Sequence, residues 1–467
     1  MSDRSSPPQP ATRLLAEFAA TLQWQDLPPA VIAHTKLCVL DALGCCLFGS
    51  QLPATRILID TIVALGGARQ ASIWGTPYRT SVTQAALANC AAGHSFELDD
   101  LHTAALIHAT TLSVPVALAF AERDGANGRD FLLACIAGFE VGLRVGIAGT
   151  HGLFNRGFHP QGTTGVFCAA ATAARMLRLD AAKTQHALGI AASMASGLMA
   201  AQEGAMTKRF HSGHAGQAGA LAALLAQRGY TGMADAIEKP GGGFLDVYSS
   251  DPAHGLLTSE LGARWETLAI GFKGYPTVSC IHGPLTLLRS IMREHIMQSH
   301  DVQSLEISCS TFTYKHTVWP YQASGLTEAQ MNMYYGLAAM AVRGEVFVNQ
   351  FDDAQLKSPD LLDFMQRITV NIDPAIDARG QRYRDAVRLT LRTRDGRTLT
   401  GAKEWRPGSP EEPFTAADLT AKFRTLADGR WAPRKTNRIV KLLNHAEELP
   451  SLAPLIACFR LRKAPGA

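Results

Sequence analysis

From Arg13 to about Gln227, apolar residues recur at three- and four-residue spacing, most clearly in Leu14–Leu22, Val31–Leu47 and Phe131–Ile147. That period predicts one helix after another. Cys168–Met176, Ile190–Met199 and Ala215–Ala226 are rich in Ala and Gly, so their axes can approach closely and they belong in the middle of a bundle. After Phe272 the period changes. Val302–Ser308 and Arg367–Ile372 read as strands, and Val387–Thr393 with Thr398–Ala402 as hairpin arms around Asp395-Gly396. Helices Pro284–Glu294 and Thr327–Arg343, the second with a Thr N-cap and a stop before Gly344, complete an α+β segment. Beyond Pro407-Gly408 the helical period returns in Thr415–Leu426, with Asp418 placed to complete a capping box, and in Lys435–Glu447.

The expected protein is mainly α: a large helical domain formed by both chain ends, residues 1–271 and 407–467, with a smaller inserted α+β domain at 272–406. A chain of 467 residues is long for one hydrophobic core, which supports two domains. Composition narrows the class only a little. The 44 Lys and Arg against 40 Asp and Glu leave a net charge of +4, with no basic run long enough to follow a phosphate backbone. Nucleic acid is therefore not an expected partner. The nine cysteines are odd in number, dispersed and free of C-x-x-C spacing, so they read as reduced core residues rather than zinc ligands or disulfides. Met1–Ala11 is polar and Pro/Ser-rich, unlike a secretory signal, and is expected to be a loose tail. No uninterrupted apolar run reaches a membrane span, so no membrane partner and a cytoplasmic address are expected.

Four polar blocks interrupt the apolar pattern. The first, His94-Ser95-Phe96-Glu97-Leu98-Asp99-Asp100-Leu101-His102, is followed by His108. Acids and histidines this dense are costly to bury unless they pair or face a cleft. The plainer reading is helix capping, since Asp99 and Asp100 are natural N-caps. The second is Gly157-Phe158-His159-Pro160-Gln161-Gly162, which places a histidine before a small-residue helix from Thr163, in a positive field that favours neutral imidazole. An incidental His in a Pro/Gly turn is the alternative. In the third, Lys208, Arg209 and His211 precede a helix expected to start near Gly213 and form an anion pocket, or else a solvated basic loop. The fourth is Gly271-Phe272-Lys273-Gly274-Tyr275-Pro276 with His282 downstream, and Tyr314-Lys315-His316 follows in an expected loop after Val302–Ser308.

In order and spacing these blocks resemble the MmgE/PrpD family. The H-x-x-x-x-D-D run with a later His is His94 to His108, F-H-P is Phe158–Pro160, K-R-x-H-x-G is Lys208–Gly213, and K-x-Y-P with a following His is Lys273–His282. The resemblance implies a helical domain, an α+β lid from roughly Phe272 to Arg406, a homodimer, a small polycarboxylate substrate, and no metal or organic cofactor. It implies His108, His159, Lys208, Lys273 and His282 as the catalytic set, with Glu97, Asp100 and Tyr314 in the pocket. The polar blocks themselves add His102, Arg209 and His211 as candidate substrate contacts.

In such a pocket the lysines neutralise carboxylates, while His159 serves as base and His108 as acid, an assignment that reverses equally well. The chain departs from the 2-methylcitrate dehydratases at Thr277-Val278-Ser279, where they resemble C-C-R, and from the cis-aconitate decarboxylases at Val278, where those tend to place His. Ala109 also follows His108 where many relatives have Pro. The resemblance thus leads to a lyase working by Cα proton chemistry, by dehydration or decarboxylation. An isomerase of the iminodisuccinate epimerase kind and a non-catalytic metabolite-binding protein are the alternatives.

Overall fold

Small residues decide how the helical part packs. The computed structural model describes residues 10–461, the side chains of residues 150 and 151 apart. Ten helices open the chain: α1 Ala11–Thr21, α2 Pro29–Gly49, α3 Pro53–Leu65, α4 Val82–Gly93, α5 Thr110–Asp124, α6 Gly128–Asn155, α7 Pro160–Thr163, α8 Gly165–Met176, α9 Ala181–Ala192 and α10 Thr207–Gln227. Proline begins α2, α3 and α7, where its missing N–H costs nothing. Asn127 and Asp180 cap α6 and α9 by accepting from Asp130 N (2.9 Å) and Lys183 N (2.8 Å). Helix α8 is the central rod, buried from Gly165 to Ala174. A Cβ on Gly142 of α6 would lie 2.0 Å from Cys168 Sγ, and one on Gly219 of α10 would lie 2.5 Å from Ala170 N. Both helices therefore approach α8 more closely than any side chain would allow.

Contacts group the described residues into two compact units, one of residues 10–200, Thr207–Ile270 and 415–461, the other of Ala201–Met206 and Gly271–Phe414. Helices Ala416–Ala427 and Pro433–Asn444 belong to the first. The second holds a four-stranded sheet of β1 Val302–Cys309, β2 Ile368–Ile372, β3 Val387–Thr393 and β4 Thr398–Lys403, in the order β2-β1-β3-β4. The pair β1/β2 is parallel (Leu305 opposite Ile368), while β1/β3 and β3/β4 are antiparallel (Ile307 opposite Leu389, Leu389 opposite Gly401). Val387, Leu389, Leu391 and Thr393 alternate inward along β3. The helix His282–Glu294 packs on this hairpin, where a Cβ on Gly401 would lie 2.7 Å from Leu287 Cδ1.

The chain is mainly α, and most elements fall where the periodicity predicts them; the exceptions have local causes. The expected helix Ile190–Met199 is the tail of α9, which starts at the Asp180 cap and stops at Ser193. Gly197 beyond it takes a positive φ of 136°. Helix α10 begins at Thr207 rather than near Gly213, so Lys208, Arg209 and His211 are helical. The expected helix Thr327–Arg343 is two, Leu326–Met331 and Met333–Arg343, because Asn332 is extended and accepts from Tyr335 N at 3.1 Å. Tyr314 lies in a helix, Thr311–Thr317, because Ser310 caps it by accepting from Thr313 N. The expected helix Lys435–Glu447 runs from Pro433 to Asn444.

Two helices, contrary to the expectation of no span, are long and apolar enough to cross a membrane by length and composition. In both the apolar window is mostly buried, 72% for Pro29–Gly49 and 94% for Gly128–Gly149, as in core helices. All nine cysteines are buried and free. The expected loose tail lies outside the described residues up to residue 9, and Ala11 already opens α1.

Candidate active site

Helix α4 ends at Gly93, where a Cβ would meet Thr111 Cγ2 at 2.7 Å and Cys46 Sγ at 2.9 Å. The chain then runs irregularly to α5, with Glu97 (φ 56°) and Leu106 (φ 53°) both in the left-handed region. For a residue with a Cβ that conformation costs about 1–2 kcal/mol. The two neighbouring acids in this stretch have separate partners. Asp100 turns to the start of α5, accepting from Thr110 N at 3.3 Å and from its hydroxyl; the N-cap of that helix is Ala109, so neither Asp99 nor Asp100 is the N-cap residue that the plainer reading expects. Burial and the adjacent Asp99 push its carboxyl well above the usual range.

Asp99 serves histidines instead. Its Oδ2 accepts from Thr111 Oγ1 at 3.2 Å, lies 2.8 Å from His94 Nδ1, and lies 3.2 Å from His108 Nδ1, more obliquely. Burial alone would raise this carboxyl, yet His108 and His94 together hold it well below the usual range. Burial drives His94 down to about 3 against the pull of Asp99. The His94 and His108 rings are 4.7 Å apart, and His94 and His159 5.9 Å apart.

His159 caps α7. Its backbone N donates to Gly197 O at 3.0 Å and its carbonyl receives Thr163 N at 3.1 Å. Its Nδ1 lies 2.9 Å from His211 Nδ1, so one imidazole donates to the other. Burial, then the neighbouring His94 and Lys208, push His159 well below the ordinary histidine value, and burial also lowers His211. Both rings are neutral near pH 7 on that account. The buried Gln161 ties the parts together: its Oε1 accepts His108 N (2.9 Å) and its Nε2 donates to Ser212 Oγ (2.9 Å).

The first turn of α10 carries Lys208 and Arg209, both buried. Two cations at a helix N-terminus add to the positive end of the helix dipole and need an anion. Glu97 supplies one, pairing with Lys208 Nζ and with Arg209 Nη1 at 2.6 Å, while Arg209 also donates to His94 O at 3.0 Å.

Of the sequence-derived site residues, Glu97, His108, His159, Lys208, Arg209 and His211 meet in this cluster, and Asp100 lies beneath it at the start of α5. His102 is buried, but its nitrogens are engaged by Glu266 (3.4 Å) and Ala105 N (3.1 Å) rather than by the other histidines. Lys273, His282 and Tyr314 belong to the other unit. There Lys273 is buried, His282 opens its helix with Nε2 3.3 Å from Thr277 O and its ring edge-on to Tyr275, and Tyr314 is half-buried.

The sequence-derived set omits His94, Asp99 and Gln161. The i, i+5 spacing of His94 and Asp99 is a visible signal, whereas an uncharged Gln gives none. Among the described residues, His94, Asp99 and His108 are also the one trio whose ligand atoms converge enough, within 4.8 Å, to hold a metal ion.

A buried histidine cluster beside buried cations, on helices of this order, defines the class. The chain belongs to the MmgE/PrpD family: residues 13–256 match its N-terminal domain and residues 275–447 its C-terminal domain. Among its relatives, the cis-aconitate decarboxylase-like protein oryM of Aspergillus oryzae is 29% identical, with 97% of this chain and 98% of that protein covered. The cis-aconitate decarboxylase of Aspergillus terreus is 27% identical over 95% of each chain, and that of Homo sapiens 25% identical over 92% and 90%.

Proposed function

We propose that the protein is a cofactor-independent lyase that decarboxylates a small polycarboxylate of the cis-aconitate kind at the buried histidine cluster. The observation that carries this reading is the juxtaposition of His94, His108 and His159 with Lys208 and Arg209, in a chain aligned nearly end to end with relatives named as decarboxylases. Lys208 and Arg209, on the first turn of α10, give the site the positive charge toward which a substrate carboxylate is drawn. In the reaction a C–C bond breaks and CO2 leaves. The bonding pair passes into a carbanion conjugated with the substrate's double bond, and a histidine N–H protonates that carbon. One proton is consumed per turnover. The fixed charges of Lys208 and Arg209 offset the negative charge where it accumulates.

A bound polyanion also raises the affinity of the neighbouring imidazoles for protons, so substrate and proton arrive together. The family resemblance further assigns Lys273 and His282 to the catalytic set and Tyr314 to substrate binding, and it implies a homodimer.

The test is proton NMR in D2O with cis-aconitate, citrate, 2-methylcitrate, iminodisuccinate and malate, beside His159→Ala, Lys208→Ala and Lys273→Ala variants. Loss of CO2 with one deuterium incorporated, abolished in the variants, is the expected result. Net water loss would make the protein a dehydratase, exchange with inversion an epimerase, and binding of every acid without turnover a metabolite-binding protein.

A further inference from the structure

The two histidines that face the reaction in this reading are backed differently. His159 has another imidazole, His211, behind its Nδ1. His108 has a carboxylate behind its Nδ1, and shares it with His94, since both Nδ1 atoms lie on one oxygen, Asp99 Oδ2. An ionised carboxylate only accepts hydrogen bonds, so His94 Nδ1, bonded to it at 2.8 Å, carries a proton, and His108 Nδ1, 3.2 Å from the same oxygen but outside hydrogen-bond geometry, is drawn to the same form by the negative charge it faces. In water the neutral imidazole prefers the opposite tautomer, with its proton on Nε2. Asp99 therefore works against the intrinsic preference of two rings at once. Asp99 Oδ1, His94 Nε2 and His108 Nδ1 are buried and meet no hydrogen-bonding partner among the described residues, so the polar face of this trio is not consumed by internal bonds.

We propose that Asp99 is a positioning residue that holds His94 and His108 in the Nδ1–H tautomer, making His108 the histidine that carries the reaction's proton on Nε2 and His94 a neutral acceptor beside it. The proposal rests on the lyase reading for its chemical step. There the carbanion left by CO2 takes the Nε2 proton of the His108 imidazolium, and the N–H bonding pair stays on Nε2. The ring returns to the neutral Nδ1–H form against Asp99, and solvent restores the proton to Nε2. The carboxylate stabilises the imidazolium of His108, whereas His211 offers His159 no negative charge. This division assigns acid to His108 and leaves His159 neutral. The depressed proton affinity of His94 agrees with its acceptor role.

The experiment uses the full chain with 15N,13C-labelled histidine and long-range 1H–15N correlation near neutral pH, the two rings being assigned from His94→Gln and His108→Gln. His94 is expected in the Nδ1–H form, and His108 with a protonated Nδ1. In Asp99→Asn both shift toward Nε2–H. With cis-aconitate, the same variant loses on the order of 10³-fold in kcat while KM stays within about threefold, and Asp99→Glu recovers part of the rate. Nε2–H tautomers of these two rings in the wild-type protein would overturn the proposal. So would an Asp99→Asn variant with kcat within about threefold of wild type. One tightly bound divalent ion per chain, lost in His94→Gln, would also overturn it, because a metal-bound Nδ1 carries no proton. Expected tautomers without turnover of any acid would overturn the lyase reading alone.

Discussion

Glu97→Gln removes the negative charge from between Lys208 and Arg209 while preserving side-chain size. All three side chains are buried. Breaking a buried ion pair by neutralising one partner costs about 3–5 kcal/mol, and the low end applies here because Arg209 keeps its bond to the His94 carbonyl. For a unit of this size each kcal/mol corresponds to about 2 °C in Tm, so a fall of about 6 °C is expected. A second term separates charge from backbone. Glu97 sits at φ 56°, so Glu97→Gly regains about 1–2 kcal/mol of strain that Glu97→Ala does not.

The decisive assay is thermal unfolding of wild type, Gln, Ala and Gly variants with and without saturating citrate. A tricarboxylate restores negative charge at the start of α10, so the ligand-induced rise in Tm is larger in Glu97→Gln than in wild type. Equal ligand shifts, with an unliganded Tm within about 2 °C of wild type, would refute the view that Glu97 and a substrate carboxylate both balance the charge of Lys208 and Arg209.

Protonation gives a second prediction. His94, His159 and His211 all have folded-state values below the usual 6.5, so the unfolded chain binds more protons than the folded one as pH falls. Their contribution to stability is fully present above pH 6.5 and is lost as pH falls from there toward the folded values, about 3 for His94. Calorimetry from pH 7.5 to 5.5 shows a falling Tm, and His94→Gln removes roughly one proton from the linkage. Third, Lys422 pairs with Asp41 of α2 at 2.6 Å and donates to Leu98 O at 2.6 Å. Lys422→Met costs about 3–5 kcal/mol by urea unfolding, and Asp41→Leu in the same chain recovers most of it. Although burial opposes it, Asp41 raises the Lys422 value above 10.5, so this pair's stabilisation is complete below that pH and fades as the pH rises through the folded value. Fourth, Gly219→Ala drives a methyl to 2.5 Å from Ala170 N and destabilises by about 1–3 kcal/mol, measured the same way.

Helix content was legible because burial imposes its period on the sequence: α2, α6 and α8 lie where the apolar spacing puts them. Most of the displaced boundaries follow from local caps, but the start of α10 depends on a distant partner. Lys208-Arg209 reads as a loop because two cations are unfavourable in a first helical turn, and Glu97, over a hundred residues earlier, offsets their charge there. The roles of Asp99 and Asp100 were hidden as well. Adjacent acids are equivalent in a motif, and what separates them is the partners each meets, Thr110 for Asp100 and His94 with Thr111 for Asp99. Gln161 carries no charge pattern, and its bonds to His108 and Ser212 span more than fifty residues each.

The charge distribution also narrows the substrate class beyond what a motif can. Three of the site's imidazoles, His94, His159 and His211, are held neutral by burial, so the fixed positive charge comes from Lys208 and Arg209, and Glu97 offsets only part of it. His108 and Asp99 form a pair in which a proton added to the ring meets an existing negative charge. Such a site gains little from a neutral ligand, whose binding would leave Asp99 Oδ1 and His94 Nε2 desolvated with no hydrogen-bonding partner. A monocarboxylate satisfies the cations but brings no second charge to favour proton uptake by the histidines. A di- or tricarboxylate does both, because one carboxylate compensates the first turn of α10 while another raises the proton affinity of the rings beside it. Selectivity for polyanions then follows from the coupling of proton uptake to binding. Isothermal titration in buffers of different ionisation heat reads it directly, with about one proton taken up for citrate and none for acetate.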